Sequence, residues 1–176
     1  ESRSMMERAR HQTILPFTRY LAGPADYTTM LFSERRRDSN VPHQIATMVV
    51  YSSPLLTIAA HPQSILDSPA SDVIKSIPAI WDETIVLPDS KMGECVVFAR
   101  RTGDTWFLAI MNALTPRRLT IPLSFLGPGM YQTTLVRDDT QNSAGVTIES
   151  ATNTVVYSLP IDLVDGGGFV ARFSKR

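Results

Sequence analysis

The chain has 176 residues, 43% of them hydrophobic, with seventeen basic and seventeen acidic side chains and no formal net charge. That composition suits one globular domain or a small pair, and the absence of a basic tract removes the electrostatic footprint of a nucleic-acid partner. The one arginine run, Arg35-Arg36-Arg37, is flanked by Glu34 and Asp38 and reads as a solvated loop. A lone Cys95 gives no disulfide framework and reads as a small buried hydrophobe. No membrane-spanning helix is expected either, because Val41 to Ala60, the most apolar stretch, is interrupted by Pro54.

The chain opens on Glu1 with no initiator methionine, so it is expected to be a piece of a longer protein. Glu1 to Gln12 suggests a loop entering a short helix with Met5, Met6 and Ala9 on one face. His11 to Thr28 is different in kind. Two prolines and a glycine interrupt its apolar residues, which predicts that no regular helix or strand runs through it. Polar groups carried on irregular backbone between apolar anchors are how a rigid scaffold presents a binding loop. A structural loop holding a buried Arg19–Asp26 pair is the competing reading.

Thr29 to Asn40 is a polar loop. Val41 to Ala60 predicts a helix that is apolar on most sides and must be buried, with Pro42 in its first turn and a kink or break at Tyr51 to Ser53 ahead of Pro54. Gln63 to Asp67 and Ser71 to Ile77 predict short helices, the second capped by Ser71. From Ile80 the pattern changes to short β-branched and aromatic runs: Ile80–Leu87, Glu94–Arg101, Thr105–Ala113, Arg118–Pro122, Met130–Asp138, Val146–Ser150, Val155–Leu159 and Gly168–Ser174. Turn residues separate most of them, and such spacing predicts an antiparallel β-sandwich, with Arg101-Thr102-Gly103-Asp104 as its best hairpin turn. The chain thus divides near residue 79 into a helical part and an all-β part able to fold alone. The fold class expected is α+β.

Leu15-Pro16-Phe17-Thr18-Arg19 followed by Ala22-Gly23-Pro24-Ala25-Asp26-Tyr27-Thr28 resembles the signature near the end of the catalytic barrel of glycoside hydrolase family 97. Ile80-Trp81-Asp82-Glu83-Thr84, Gly93-Glu94, Phe98-Ala99-Arg100, Asp104-Thr105-Trp106 and Leu123-Ser124-Phe125-Leu126 resemble that family's C-terminal domain, in the same order. The resemblance implies the last segment of a (β/α)8 barrel in residues 1–79 and a β-sandwich domain in residues 80–176. It implies a calcium-dependent exo-acting α-glycosidase, an α-galactosidase or α-glucosidase, whose substrate is a terminal α-linked sugar of an oligosaccharide. It further implies secretion or a periplasmic location, and packing and self-association, hence a homo-oligomer, for the C-terminal domain.

A glycosidase needs two carboxyl groups flanking the scissile bond, one of them protonated near neutral pH. By the resemblance the general acid, which also touches calcium, falls on Glu1. Glu7 is the fallback, but Arg8 and Arg10 beside it favour its charged form, the wrong direction for an acid. His11 either hydrogen-bonds a sugar hydroxyl or holds a carboxylate, or is simply a satisfied structural histidine. Arg19 and Asp26 are expected to orient one another beneath the site. Tyr20 or Tyr27 could stack on a sugar ring, as could Trp81, Trp106 and Phe98, although core packing explains these aromatics equally simply. Calcium takes six to eight oxygen ligands, so the remaining ligands and the second carboxylate are expected upstream, and the chain alone should hydrolyse nothing. A second reading is a non-catalytic β-sandwich module that binds glycan or a partner chain through its helical part.

Overall fold

The structure, a computed structural model, describes residues 7–152 and 157–176. Glu1, Met5 and Met6 lie outside the described residues, as does most of the expected start of the strand at Val155.

Among the described residues eight strands form: β1 (Glu83–Val86), β2 (Cys95–Thr102), β3 (Thr105–Asn112), β4 (Arg117–Pro122), β5 (Tyr131–Asp138), β6 (Val146–Thr152), β7 (Ser158–Leu163) and β8 (Gly168–Lys175). They make a six-stranded antiparallel sheet in the order β1-β2-β3-β8-β5-β6 and a two-stranded antiparallel sheet of β4 and β7. The expected sandwich is therefore present, with unequal halves. The β2–β3 turn is tighter than expected, since Thr102 pairs with Thr105 around Gly103-Asp104, with Gly103 at φ 53°. Of the strand expected at Val155–Leu159, Val155 and Val156 lie outside the described residues, and β7 covers Ser158–Leu163.

Strands β2, β3 and β8 are buried along most of their length because both faces of the large sheet are covered. On one face Val97, Ala99, Leu108, Ile110, Phe169 and Ala171 pack with Ile121, Leu159, Ile161 and Leu163 of the small sheet. On the other, Val96, Phe98, Phe107, Ala109, Met111, Val136 and Val170 share one core with Ile45, Met48, Val49, Tyr51, Val73 and Ile74 from before residue 79. The all-β part thus does not carry its own cover on that face.

Among the described residues four α-helices precede the strands: α1 (Arg8–Ile14), α2 (Val41–Val50), α3 (Pro62–Leu66) and α4 (Ser71–Ser76). Every residue of α2 is buried, as an apolar-all-round helix requires. It stops at Val50 instead of continuing to Ala60, with Tyr51 already extended at ψ 130°. Pro54 disfavours helical backbone at the residue before it, and the chain departs from the helix there, leaving Leu55 exposed. Helix α1 enters the stretch from His11 that was expected to be irregular and ends where Pro16 opens a tight 3-10 turn, Leu15–Phe17; a second such turn covers Arg19–Ala22. Ser71 begins α4 inside the helix, and Ala70 occupies the capping position with no side-chain bond.

The N-terminal end of α2 is seated on Gly166-Gly167-Gly168. A Cβ on Gly168 would lie 2.3 Å from the His43 backbone, one on Gly166 1.7 Å from the Asp38 carbonyl oxygen, and one on Gly167 2.1 Å from Asp138 Oδ2. Asn40 N donates to Gly166 O at 2.8 Å, and His43 Nδ1 lies 3.1 Å from Gly167 O. Gly168→Ala should cost about 3 kcal/mol or more, since backbone must move on both sides, against about 1 kcal/mol for Gly103→Ala, where only the left-handed backbone resists and nothing lies within 4 Å. Thermal unfolding of the two variants checks the contrast.

Two titrating groups are buried at this junction with opposite consequences. Burial pushes His43 down from 6.5 to about 4, and pushes Asp138 up from 3.8 to about 6 against the bonds from Gly168 N and Asn40 Nδ2. Between about 4 and 6.5 the unfolded chain takes a proton on His43 that the folded chain refuses, so this contribution to stability is lost as pH falls. Between 3.8 and about 6 the folded chain keeps a proton on Asp138 that the unfolded chain releases, so that contribution is lost as pH rises. Each amounts to about 3 kcal/mol and the two largely offset. Urea unfolding from pH 4 to 6.5 should show stability rising with pH in Asp138→Asn and falling with pH in His43→Gln, the slope being the readout.

Candidate functional site

The signature loop is held by a buried polar and aromatic lattice at the far end of α2. Tyr51 is its centre: Tyr20 stacks on it with ring centroids 4.8 Å apart, Tyr27 meets it edge-on at 4.6 Å, and its hydroxyl donates to Gln12 O at 2.9 Å. Gln12 Nε2 donates to the Tyr27 hydroxyl at 2.9 Å, while Gln44 Nε2 donates to Gln12 Oε1 and to Ser39 Oγ. Phe17 packs edge-on against Phe98 of β2, tying the loop to the sheet. Burial and the neighbouring Tyr27 push the Tyr20 hydroxyl up to about 12, so it stays protonated at neutral pH.

Arg100 of β2 supplies the charge at this end. Its guanidinium donates to Val49 O in the last turn of α2 and to Ser52 Oγ, both at 2.9 Å, and lies 5.6 Å and 5.7 Å from the ring centroids of Trp81 and Phe98. The partly negative C-terminus of a helix and aromatic faces both favour a cation. Burial lowers Arg100 to about 10, which leaves it charged at neutral pH.

These contacts decide which expected site residues face outward. His11, Arg19 and Asp26 are all exposed. The expected Arg19–Asp26 pairing is not formed: Arg19 Nη1 reaches Gly23 O at 3.5 Å, and no ion pair joins the two side chains. The reason is geometric, since Gly23 at φ 120° and Pro24 turn the backbone between them. Asp26 lines an open groove of about 470 Å³ with Pro24, Ser53, Pro54 and Leu55, and neither His11 nor Arg19 lines it. Glu7 pairs with Arg10 at 3.2 Å. Glu1, the expected general acid, lies outside the described residues.

The candidate stacking aromatics each contact another ring of the chain. Tyr20 and Tyr27 are taken up by Tyr51, Trp81 stands edge-on to Phe107, and Trp106 packs on Phe125 at 5.1 Å. Phe98 and Trp106 belong to opposite faces of the large sheet, so Trp81, Trp106 and Phe98 cannot form one sugar platform. Among the described residues no group of three or more His, Cys, Asp or Glu could hold a metal ion. The resemblance puts the calcium ligands on Glu1 and upstream of this chain, outside the described residues.

The residues missed by sequence reasoning are Tyr51, Gln12, Gln44, Arg100, His43 and Asp138. Arg100 and Gln44 carried a signal, a polar side chain inside an apolar run. Tyr51 carried none beyond its place before Pro54.

Residues 80–174 match the family described as "Glycosyl-hydrolase 97 C-terminal, oligomerisation". The chain belongs to glycoside hydrolase family 97 and is a C-terminal portion of such a protein. It is 32% identical to a retaining α-galactosidase of Bacteroides thetaiotaomicron over 95% of its own length and 28% of that protein. A probable retaining α-galactosidase of Streptomyces bingchenggensis is 31% identical over 93% of this chain and 25% of that protein. The chain thus spans little more than a quarter of the length of these relatives. Among solved structures, a family 97 enzyme from Pseudoalteromonas sp. strain K8 in complex with panose superposes with a TM-score of 0.83 and 29% identity, over 96% of this chain and 29% of that one. A β-arabinopyranosidase superposes with the same TM-score of 0.83 and 27% identity, over 98% of this chain and 28% of that one.

Tyr51→Phe removes only the hydroxyl bond and should cost about 1 kcal/mol. Tyr51→Ala removes the ring that orders Tyr20 and Tyr27 and should cost about 3–5 kcal/mol. Chemical denaturation measures both, and near-equal losses would show that the ring contacts carry little.

Proposed function

We propose that this chain is the C-terminal portion of an exo-acting α-glycosidase that removes terminal α-linked galactose with retention of configuration. The observation that carries this reading is the 32% identity to a retaining α-galactosidase across 95% of the chain, which takes in the signature loop as well as the sandwich. Residues before Ile80 are read as the last part of the catalytic barrel. Thr29 and Ile58 form a parallel bridge, with Thr29 N donating to Thr57 O and Ala59 N to Thr29 O, and α2 lies between them in sequence. A parallel pairing with an intervening helix is the repeating unit of such a barrel.

In this reading Glu1 protonates the glycosidic oxygen, and a second carboxyl group, about 5–5.5 Å away in a retaining enzyme, comes from the rest of the protein. His11 of α1 and Arg19 and Asp26 of the signature loop are exposed, and in this reading they hydrogen-bond sugar hydroxyls or steady a carboxylate once the rest of the parent protein is in place. Calcium enters no step derived from the described residues, which do not form a site for it. The 176-residue chain alone is expected to be inactive. Residues 80–174 serve self-association of the parent protein, a role supported by the description of the family they match.

In the full-length parent, Glu1→Gln should lower kcat on a natural α-galactoside by about 10²–10⁴-fold. Hydrolysis of p-nitrophenyl α-galactoside should fall much less, because that leaving group needs little protonation. An unchanged rate on the natural sugar would place the acid elsewhere, and no α-galactosidase activity in the parent would overturn the substrate assignment.

A further inference from the structure

Both edges of the large sheet are single strands, and β1 is the one built to accept a partner. Leu87 N donates to Val97 O at 2.9 Å, in step with the Ile85–Ala99 register, so odd-numbered residues of β1 bond to β2. The N–H and C=O groups of Thr84 and Val86 therefore point away from the sheet. Val86 is 49% exposed and Ile80, just upstream, 70%. The acidic groups at the start of the strand are already answered within the chain, Glu83 by Arg101 at 3.1 Å and Asp82 by the same guanidinium at 3.8 Å.

We propose that β1 pairs antiparallel with β1 of a second copy of this chain, about a two-fold axis at Ile85, joining two large sheets into one. This rests on the self-association reading of residues 80–174 and says where that contact forms. With the axis at Ile85, Thr84 of each copy exchanges both backbone bonds with Val86 of the other, giving four hydrogen bonds. Ile85 faces its own counterpart in a non-hydrogen-bonded pair, and Glu83 faces Leu87, so no like charges oppose one another. The other edges are less suited. A centred pairing of β6 sets Glu149 against itself, β7 carries Pro160 near its middle, and β4 carries adjacent Arg117 and Arg118 and ends on Pro122.

The test uses the full-length parent and two variants. Thr84→Pro removes an outward-pointing donor without removing a bond to β2. Ile85→Cys places two thiols across the axis, where Cα atoms about 4.5 Å apart suit a disulfide; Cys95, 1% exposed, stays in place. Light scattering of the parent should give a dimer or a multiple of one, with the mass halved in Thr84→Pro at unchanged circular dichroism. Ile85→Cys should run as a reducible covalent dimer after mild oxidation while the parent does not. If Thr84→Pro fails to fold, the cross-link alone decides. An oligomeric parent whose mass is unaffected by Thr84→Pro, with no cross-link in Ile85→Cys, overturns the β1 contact and leaves self-association standing through another surface. A parent monomeric at all concentrations overturns both.

Discussion

The burial of α2 on all sides is the constraint from which the rest of the structure follows. A ten-residue helix with no solvent-facing position needs a partner on each flank and a partner for each end. The large sheet supplies one flank and the signature loop with its tyrosines the other. At the N-terminal end backbone meets backbone, because glycine at 166, 167 and 168 lets the turn before β8 approach where any Cβ would collide. At the C-terminal end a buried guanidinium takes up a carbonyl of the last turn. The N-terminal end has no local side-chain cap: Asn40 makes no side-chain capping bond, and its side chain reaches instead to Asp138 of β5. The helix is held by tertiary contacts from strands far along the chain.

That arrangement has a consequence for function. The signature loop is irregular, yet it is tied inward by Tyr20 and Tyr27 on Tyr51, by the Gln12 amide on the Tyr27 hydroxyl and by Phe17 on Phe98. Fixing one side of an irregular loop presents the other side with little loss of entropy on binding. Arg19 and Asp26 of the loop are exposed, as is His11 in the helix before it. The same lattice engages Tyr20 and Tyr27 through their contacts with Tyr51. Arg100 links the two regions, since one side chain of the sandwich touches the helix end, Ser52 and the aromatic pair that anchors the loop.

The sequence by itself determined six of the eight strands to within two residues at either end, because glycine, proline and aspartate mark most of the turns and β-branched residues fill what lies between. It also determined that Val41 onward is a buried helix, and the signature residues carried the family. It left open whether the chain kinks or breaks at Tyr51 to Ser53, where the helix breaks, and it was weaker where one local rule competed with another: α1 ran on into a stretch whose prolines only stop it at Pro16. Tertiary structure alone decided which face each strand turns toward α2, because a run such as Trp106 to Met111 has no polar alternation to reveal it when both faces are covered. It alone separated Arg19 from Asp26, brought Gly166–Gly168 against His43, and placed Arg100 at a helix end some fifty residues earlier in the chain. Such contacts depend on what lies opposite in space, and turn chemistry and periodicity speak only of neighbours along the chain.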